Sequence, residues 1–366
     1  MDANRRGLGV LVVGVGSIGR QRAAAAVAGR NTYLAAVADI DIEAARRLGR
    51  RLGVPAFTDI EDALRHPGVD AVVISTPHAD HDDQAHRALD AGKPTLVEKP
   101  LSIDADQARA LALVADRGQV RLATGFNHRF YPPVRDAMAL VGARAIGRVE
   151  GLKITIGHLA SPEFLAGWHA EAARSGGGTL IDNGPHACDL VRRFVGEVVS
   201  AEGYTEDGLG LPPGVESDAY ALFQTHEHVG AEVHSSWRLP RGYLTVEVRG
   251  DRGHLLVETD PWRLSGRLAD GTRVDRRYRL DWLAERVHRR LKGCERSHVR
   301  ELESFAAGGD AASRPHASGW DGVRATEMVQ AVYESAARGR AVRLEPAPIR
   351  LPSTRKAGAA RGLARR

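Results

Sequence analysis

The stretch Leu8–Gly29, LGVLVVGVGSIGRQRAAAAVAG, decides the fold. Leu8–Val13 is a short apolar run closed by glycine, the pattern of a buried strand. The alanine-rich segment from Ile18 ends at Gly29 and reads as a helix. Between them, Gly14, Gly16 and Gly19 have the G-x-G-x-x-G spacing, with Ser17 and Ile18 inside it. A strand before this motif and a helix after it are the context that a dinucleotide-binding loop requires. The first glycine permits the tight turn, the second lets a pyrophosphate approach the backbone, and the third lets helix and strand pack closely. Free N–H groups at the helix start carry a partial positive charge toward the phosphates.

Working outward, Asp39 ends the next apolar segment, YLAAVAD, twenty residues past Gly19. An acid there accepts hydrogen bonds from the ribose hydroxyls and repels a 2′-phosphate, so NAD is expected and NADP less so. Ile40 follows, and Arg46 and Arg47 lie a turn or two into the helix, where they soften the preference. Strand and helix signals keep alternating through VPAF, DIEDALRHPG, VDAVVISTP, HDDQAHRALDAG, KPTLVEKP, DADQARALALVADRG and VRLATGF. Such alternation predicts a parallel sheet with helices on both faces.

Past Phe126 the pattern changes. One or two helices (PPVRDAMALVG and the segment after three glycines) accompany long strand-like stretches: RVEGLKITIGH, VVSAEGYTE, DAYALFQTHEHVGAEVHSSW, LTVEVRGDRGHLLVET and RLSGRLADGTRVDRRYRL. In the fourth of these a glycine pair brackets an Asp-Arg turn, which reads as a hairpin. Strands without intervening helices predict a mainly antiparallel sheet. Two helices, SHVRELESFAAGG and WDGVRATEMVQAVYESAARGR, complete the reading. The expected division is 1–125 for nucleotide binding, 126–348 for substrate binding and assembly, and 349–366 as a basic, disordered tail. That tail carries much of the basicity: without the six Lys and Arg from Arg350 onward, the net charge of +5 becomes −1. It has no aromatic residues for base stacking, so no nucleic-acid partner is expected. No apolar run reaches the ~20 residues of a membrane span. The charged and apolar start lacks the cleavage pattern of a signal peptide. With only Cys188 and Cys294, no disulfide framework is expected and a reducing cytoplasm is the default.

Two segments carry chemistry. Glu98-Lys99-Pro100 ends a predicted parallel strand, where ligands of open α/β sheets bind. A partly desolvated lysine there is suited to hydrogen-bond a substrate hydroxyl and ease its deprotonation. The second is Ser175–Leu190, SGGGTLIDNGPHACDL. In a helix starting near Thr179, Asp182 and His186 form an i, i+4 pair, with Asp189 on the same side. Three readings are open: a basic histidine oriented by an aspartate, a metal site from all three, or a solvated polar face.

GVGSIG, STPHADH, EKP, GFNHRF, GGGTLIDNGPHACDL and YESAARGRAV together resemble the Gfo/Idh/MocA oxidoreductase family, up to about Val342. The resemblance implies an N-terminal Rossmann domain and a C-terminal α/β domain with a large, open, mainly antiparallel sheet. It implies Lys99, Asp182 and His186 as the catalytic set, oxidising a secondary alcohol of a sugar or cyclitol, or the reverse. Asp189 drops to a supporting role, and no metal is expected. Thr76, Pro77, His81 and Glu98 are expected near the cofactor. His128, where inositol-binding members often have arginine, is expected to face the substrate, with Asn183, Trp168 and His169 lining the pocket. The three glycines are expected to give substrate and nicotinamide room. A homodimer or homotetramer is expected to cover the open sheet. The alternatives are an NAD-recycling lyase, glycosidase or epimerase, and a non-catalytic nucleotide-binding protein.

Overall fold

A computed structural model describes residues 7–308 and 315–345 of the chain, so the expected tail at 349–366 lies outside the described residues. The first half contains β1 (Leu8–Val13), α1 (Ser17–Ala28), β2 (Thr32–Ala38), α2 (Ile42–Leu52), β3 (Ala56–Phe57), α3 (Ile60–Leu64), β4 (Ala71–Ile74), α4 (His81–Asp90), β5 (Thr95–Glu98), α5 (Ala105–Gly118) and β6 (Leu122–Gly125). These strands pair in parallel in the order β6-β5-β4-β1-β2-β3. The order reverses between β1 and β4, which opens a crevice at their carboxyl ends. The alternation predicted from sequence is therefore present, with apolar strands buried on both faces: Val10, Leu11, Val12, Val72, Val73 and Ile74 have no exposed surface.

The second half continues with α6 (Pro132–Gly142), β7 (Val149–Leu159), α7 (Pro162–Leu165), α8 (Ala172–Ser175), α9 (Thr179–Val195), β8 (Val198–Glu206), β9 (Asp218–Thr225), β10 (Gly230–Ser236), β11 (Arg238–Gly250), β12 (His254–Thr259), β13 (Trp262–Arg267), β14 (Arg273–Arg277), α10 (Arg279–Lys292), α11 (Arg296–Ala306), β15 (Ala317–Ser318), α12 (Gly319–Arg338) and β16 (Val342–Arg343). The second sheet has the order β14-β13-β12-β11-β7-β10-β9-β8-β16. Only β7 and β10 pair in parallel; the other ladders are antiparallel. One face packs on α6, α9 and α12 around a core that includes Ile154, Val191, Val246 and Val332. Tyr204, Tyr220 and Leu222 are exposed on strands β8 and β9, and a concavity of about 1380 Å³ spans this sheet. Late elements return to the first half: β15 adds an antiparallel edge to β6, α11 packs on α1, and α12 packs on α5.

Two details differ from the sequence reading. Residues 218–237, read as one strand-like stretch, are the hairpin β9–β10. Its turn is closed by Val229 N–H donating to Thr225 Oγ1 at 3.0 Å, with His228 at φ 62°. Residues 279–292, unassigned beyond the strand-like RRYRL, form α10, which Gly293 ends in the left-handed conformation. The helical spacing of Leu280, Leu283, Val287 and Leu291 was available, but all four are exposed, so the stripe does not mark a core face. Among the described residues, no helix is long and apolar enough to cross a membrane.

Candidate active site

The glycine loop is shaped by contact. Gly14 sits at φ 83°, and a Cβ on it would lie 2.7 Å from the Ser75 carbonyl oxygen. A Cβ on Gly19 would lie 1.8 Å from the Gly14 carbonyl oxygen, whereas one on Gly16 would meet nothing within 4 Å. The N-terminus of α1, at Ser17 and Ile18, has no side-chain cap, so its N–H groups are available to a ligand. Asp39 stands beside the loop: Oδ2 accepts from Val15 N–H at 2.7 Å and Oδ1 from Asp41 N–H at 2.9 Å. Ile40 next to it is 87% exposed. Arg46 pairs with Glu43 and Arg47 with Asp41, so neither cation is without an acid.

Thr76 and Pro77 follow β4 and bring this turn against Gly14, with the Thr76 Cγ2 methyl within 2.8 Å of a Cβ placed there. His81, expected near the cofactor, is fully buried. Its ring nitrogens face the Pro100 carbonyl at 2.7 Å and the Thr76 carbonyl at 3.0 Å. Both polar atoms are thus taken by the turns they brace. The Glu98 carboxylate accepts from Arg22 Nε and from the Lys99 N–H.

At the end of β5, Lys99 reaches α9. Its Nζ donates to the Asp182 carboxylate at 2.7 Å and to the Asp182 carbonyl at 2.6 Å. Pro185 inside α9 has no N–H to give the Ile181 carbonyl, which interrupts the helical ladder beside this contact. The other Asp182 oxygen accepts from Trp237 Nε1 at 3.1 Å and from Asn183 Nδ2 at 3.3 Å. Burial raises the Asp182 pKa, but Lys99, helped by His158 and His78, outweighs it and holds the carboxyl well below its usual range. Asp182 therefore stays ionised.

The expectation that Asp182 orients the His186 ring is corrected, because its oxygens are occupied by Lys99, Trp237 and Asn183. His186 instead stacks on His128 with centroids 4.0 Å apart and meets the edge of Phe126 at 5.8 Å. Burial, then His128 and Lys99, push the His186 pKa well below its ordinary value, so the ring is neutral. His128 is lowered to about 3 by burial and Lys99, and also packs against Tyr131. Asp189 is removed from the group by its buried bidentate pairing with Arg129.

Trp168 and His169 stack at 3.8 Å, His169 stacks on Phe164, and Trp168 meets His78 edge-on at 4.7 Å. His169 is lowered to about 4 by burial, and the Asp182 and Lys99 charges both act on it. His78, His158 and Trp237 were missed from sequence. His78 stood inside the quoted STPHADH; Trp237 gave no local signal, because its partner is 55 residues away. The three glycines do not leave the expected room. A Cβ on Gly176, Gly177 or Gly178 would strike Ile103, Tyr333 or the Glu216 backbone. At Gly178 the close neighbour is Glu216, whose carboxylate also caps α9 by accepting from Gly178 N–H at 2.9 Å and Leu180 N–H at 2.7 Å.

Comparisons with known proteins agree with this architecture. Residues 8–126 match the family model described as an oxidoreductase family with an NAD-binding Rossmann fold, and residues 134–256 match the Gfo/Idh/MocA C-terminal domain. An inositol 2-dehydrogenase of Rhizobium meliloti (strain 1021) is 28% identical over 337 residues, covering 90% of this chain and 97% of that protein. GenD2 from gentamicin A biosynthesis, solved in complex with NAD, is 27% identical with a TM-score of 0.77, covering 93% of this chain and 97% of that one. Levoglucosan dehydrogenase in complex with NADH shares the fold at a TM-score of 0.81 and 22% identity, over 93% and 99% of the two chains. With both halves matched, the chain belongs to the Gfo/Idh/MocA family of NAD-binding oxidoreductases.

Proposed function

We propose that the protein is an NAD-dependent dehydrogenase that oxidises a secondary CH–OH of a sugar or cyclitol. The observation that carries this reading is Lys99 clasping ionised Asp182 at the end of β5, beside the neutral His186 ring. The chain's own residues fit NAD. Open space before Gly16 and the uncapped start of α1 suit a pyrophosphate. The Asp39 carboxylate suits a ribose diol and opposes a 2′-phosphate, while Arg46 and Arg47 already have acids of their own. When bound, NAD supplies the hydride acceptor.

In this reading, neutral His186 takes the hydroxyl proton. Lys99 donates a hydrogen bond to the same oxygen and stabilises negative charge as the proton leaves. Asp182 fixes the ammonium and balances its charge, and Trp237 fixes Asp182. Trp168, His169 and Asn183 line the substrate side, with aromatic faces suited to the apolar face of a polyol ring. The exposed residues of the second sheet support a homodimer or homotetramer.

The test is nicotinamide absorbance during a screen of polyols and hexoses with NAD and with NADP. Net reduction with a substrate supports the dehydrogenase. Product without net reduction replaces it with an NAD-recycling reaction, and tight NAD binding with neither replaces it with a binding protein. His186→Ala is expected to lose turnover by at least about 100-fold, the scale of general acid–base catalysis, while NAD affinity persists. Retained activity in this variant refutes the assigned base.

A further inference from the structure

Beneath His186 the interior holds polar atoms without partners. His186 Nδ1, His128 Nδ1, His298 Nδ1, Arg22 Nη2 and Glu301 Oε1 are all buried and accept or donate no hydrogen bond to a protein group. They lie in one region. His186 stacks on His128, and the protonated form of His186 is opposed by His128, His298 and Arg22. His298 is opposed in turn by Arg22 and His128. Glu301 binds Arg22 at 2.7 Å, and it shares a face of α11 with His298 at i, i+3 spacing. Isolated unpaired atoms of this kind are rare in folded proteins; a cluster of them is the setting in which buried water bridges polar groups.

We propose that His186, His128, His298 and Glu301, bridged by water, form a relay that carries the substrate proton from His186 inward to Glu301. The inference rests on the dehydrogenase reading. As the alcohol O–H bond breaks, its proton goes to His186, and the C–H electron pair leaves as hydride to NAD. The proton on the far side of the His186 ring, Nδ1–H, then passes through water and the neighbouring imidazoles to Glu301 Oε1. This leaves His186 neutral, with the substrate's proton held on Nε2. After the carbonyl product departs, Glu301 returns a proton along the relay to His186 Nδ1, and Nε2 releases the substrate's proton to the water that refills the cleft, which restores the base for the next substrate. The sum is alcohol plus NAD⁺ giving carbonyl, NADH and one proton.

Charge favours Glu301 as the acceptor. Arg22 is one cation facing two carboxylates, Glu98 from β5 and Glu301 from α11, so one added proton neutralises the trio. Burial raises the Glu301 pKa to about 7, with Arg22 and Arg129 opposing and Glu98 adding. The acceptor thus exchanges a proton near neutrality. β6 makes room for the trio: a Cβ on Gly125 would lie 2.8 Å from Arg22 Nη2 and 3.1 Å from Glu98 Oε2.

The experiment has two arms on the NAD-loaded protein. Infrared difference spectra from about pH 5 to about pH 9, spanning the shifted carboxyl, should show a protonated carboxylic-acid band that titrates near neutrality and vanishes in Glu301→Gln. In kinetics, Glu301→Gln and His298→Gln should each slow steady-state turnover by about 10-fold or more and remove the pH limb near neutrality. The first-turnover hydride transfer and the NAD affinity should hold. A purely structural role would lower the unfolding temperature and leave the pH limb in place, which overturns the relay. A missing band, or an unchanged limb in both variants, also overturns it. The infrared arm needs no substrate, so a protein inert to every polyol refutes the dehydrogenase reading separately.

Discussion

Lys99→Met tests the electrostatic arrangement most directly. The Lys99 and Asp182 side chains are 19% and 11% exposed, so solvent screens their contact weakly. Methionine fills most of the lysine volume but leaves the carboxylate facing only Trp237 Nε1 and Asn183 Nδ2. Removing one partner of a buried ion pair costs about 3–5 kcal/mol, and the two surviving donors put the expected loss near the lower end, about 3 kcal/mol. At roughly 2 °C per kcal/mol for a chain of this size, the unfolding midpoint should fall by about 6 °C. Adding Asp182→Asn to the variant removes the stranded charge and should restore at least about half of the loss.

The pH dependence has a definite sign. In the wild type the Asp182 pKa is depressed, so the pair contributes stability above the ordinary carboxylate range and loses it as pH falls. Without Lys99, burial dominates and lifts the Asp182 pKa above its unfolded value. The variant then gains relative stability as pH falls, and its deficit against wild type should narrow between about pH 8 and about pH 5. Urea unfolding of the three proteins across that range reads both effects. Equal stability of wild type and Lys99→Met, or a deficit that widens in acid, refutes the reasoning.

Asp39→Asn keeps the hydrogen-bonding shape beside Val15 and removes the charge. The kcat/KM ratio of NAD to NADP should fall by about 10-fold or more, on the scale of a charged hydrogen bond, and an unchanged ratio removes Asp39 from cofactor choice. Arg129→Met strands Asp189, whose pKa burial already raises, and should cost about 3–5 kcal/mol in urea unfolding. Asp189→Asn in that background should recover part of it, and no recovery contradicts the pairing. Glu301 has a raised pKa, so its contribution to stability is full below about 4.5 and is lost as pH rises through about 7. Glu301→Gln should flatten the stability–pH slope in that window, and an unaltered slope assigns it to other groups.

Particular residues show how far the sequence reaches. Strand, loop and helix from Leu8 to Gly29 were readable because each signal is local: apolar runs, glycine steric limits and helix ends act within a few residues. Asp39 and Lys99 were readable for the same reason, as residues at the ends of predicted strands. Asp182 and His186 followed from helical spacing, but spacing did not tell which group each would meet. The contact of Asp182 with Lys99 spans 83 residues, the Glu216 cap on α9 spans 38, and the Arg22–Glu301 pair spans 279. The three glycines were visible in sequence, yet their cause, the backbone of Glu216 and the side chains of Ile103 and Tyr333, was not. The sequence by itself determined the two-sheet architecture, the nucleotide loop and the chemical types at the site. Only the tertiary structure decided that Asp182 serves Lys99, that His81 braces two turns, and that Arg22 of α1 meets Glu98 from β5 and Glu301 from α11. Local propensities act along the chain, whereas ion pairs and caps form between side chains that only the folded register brings within a few ångströms.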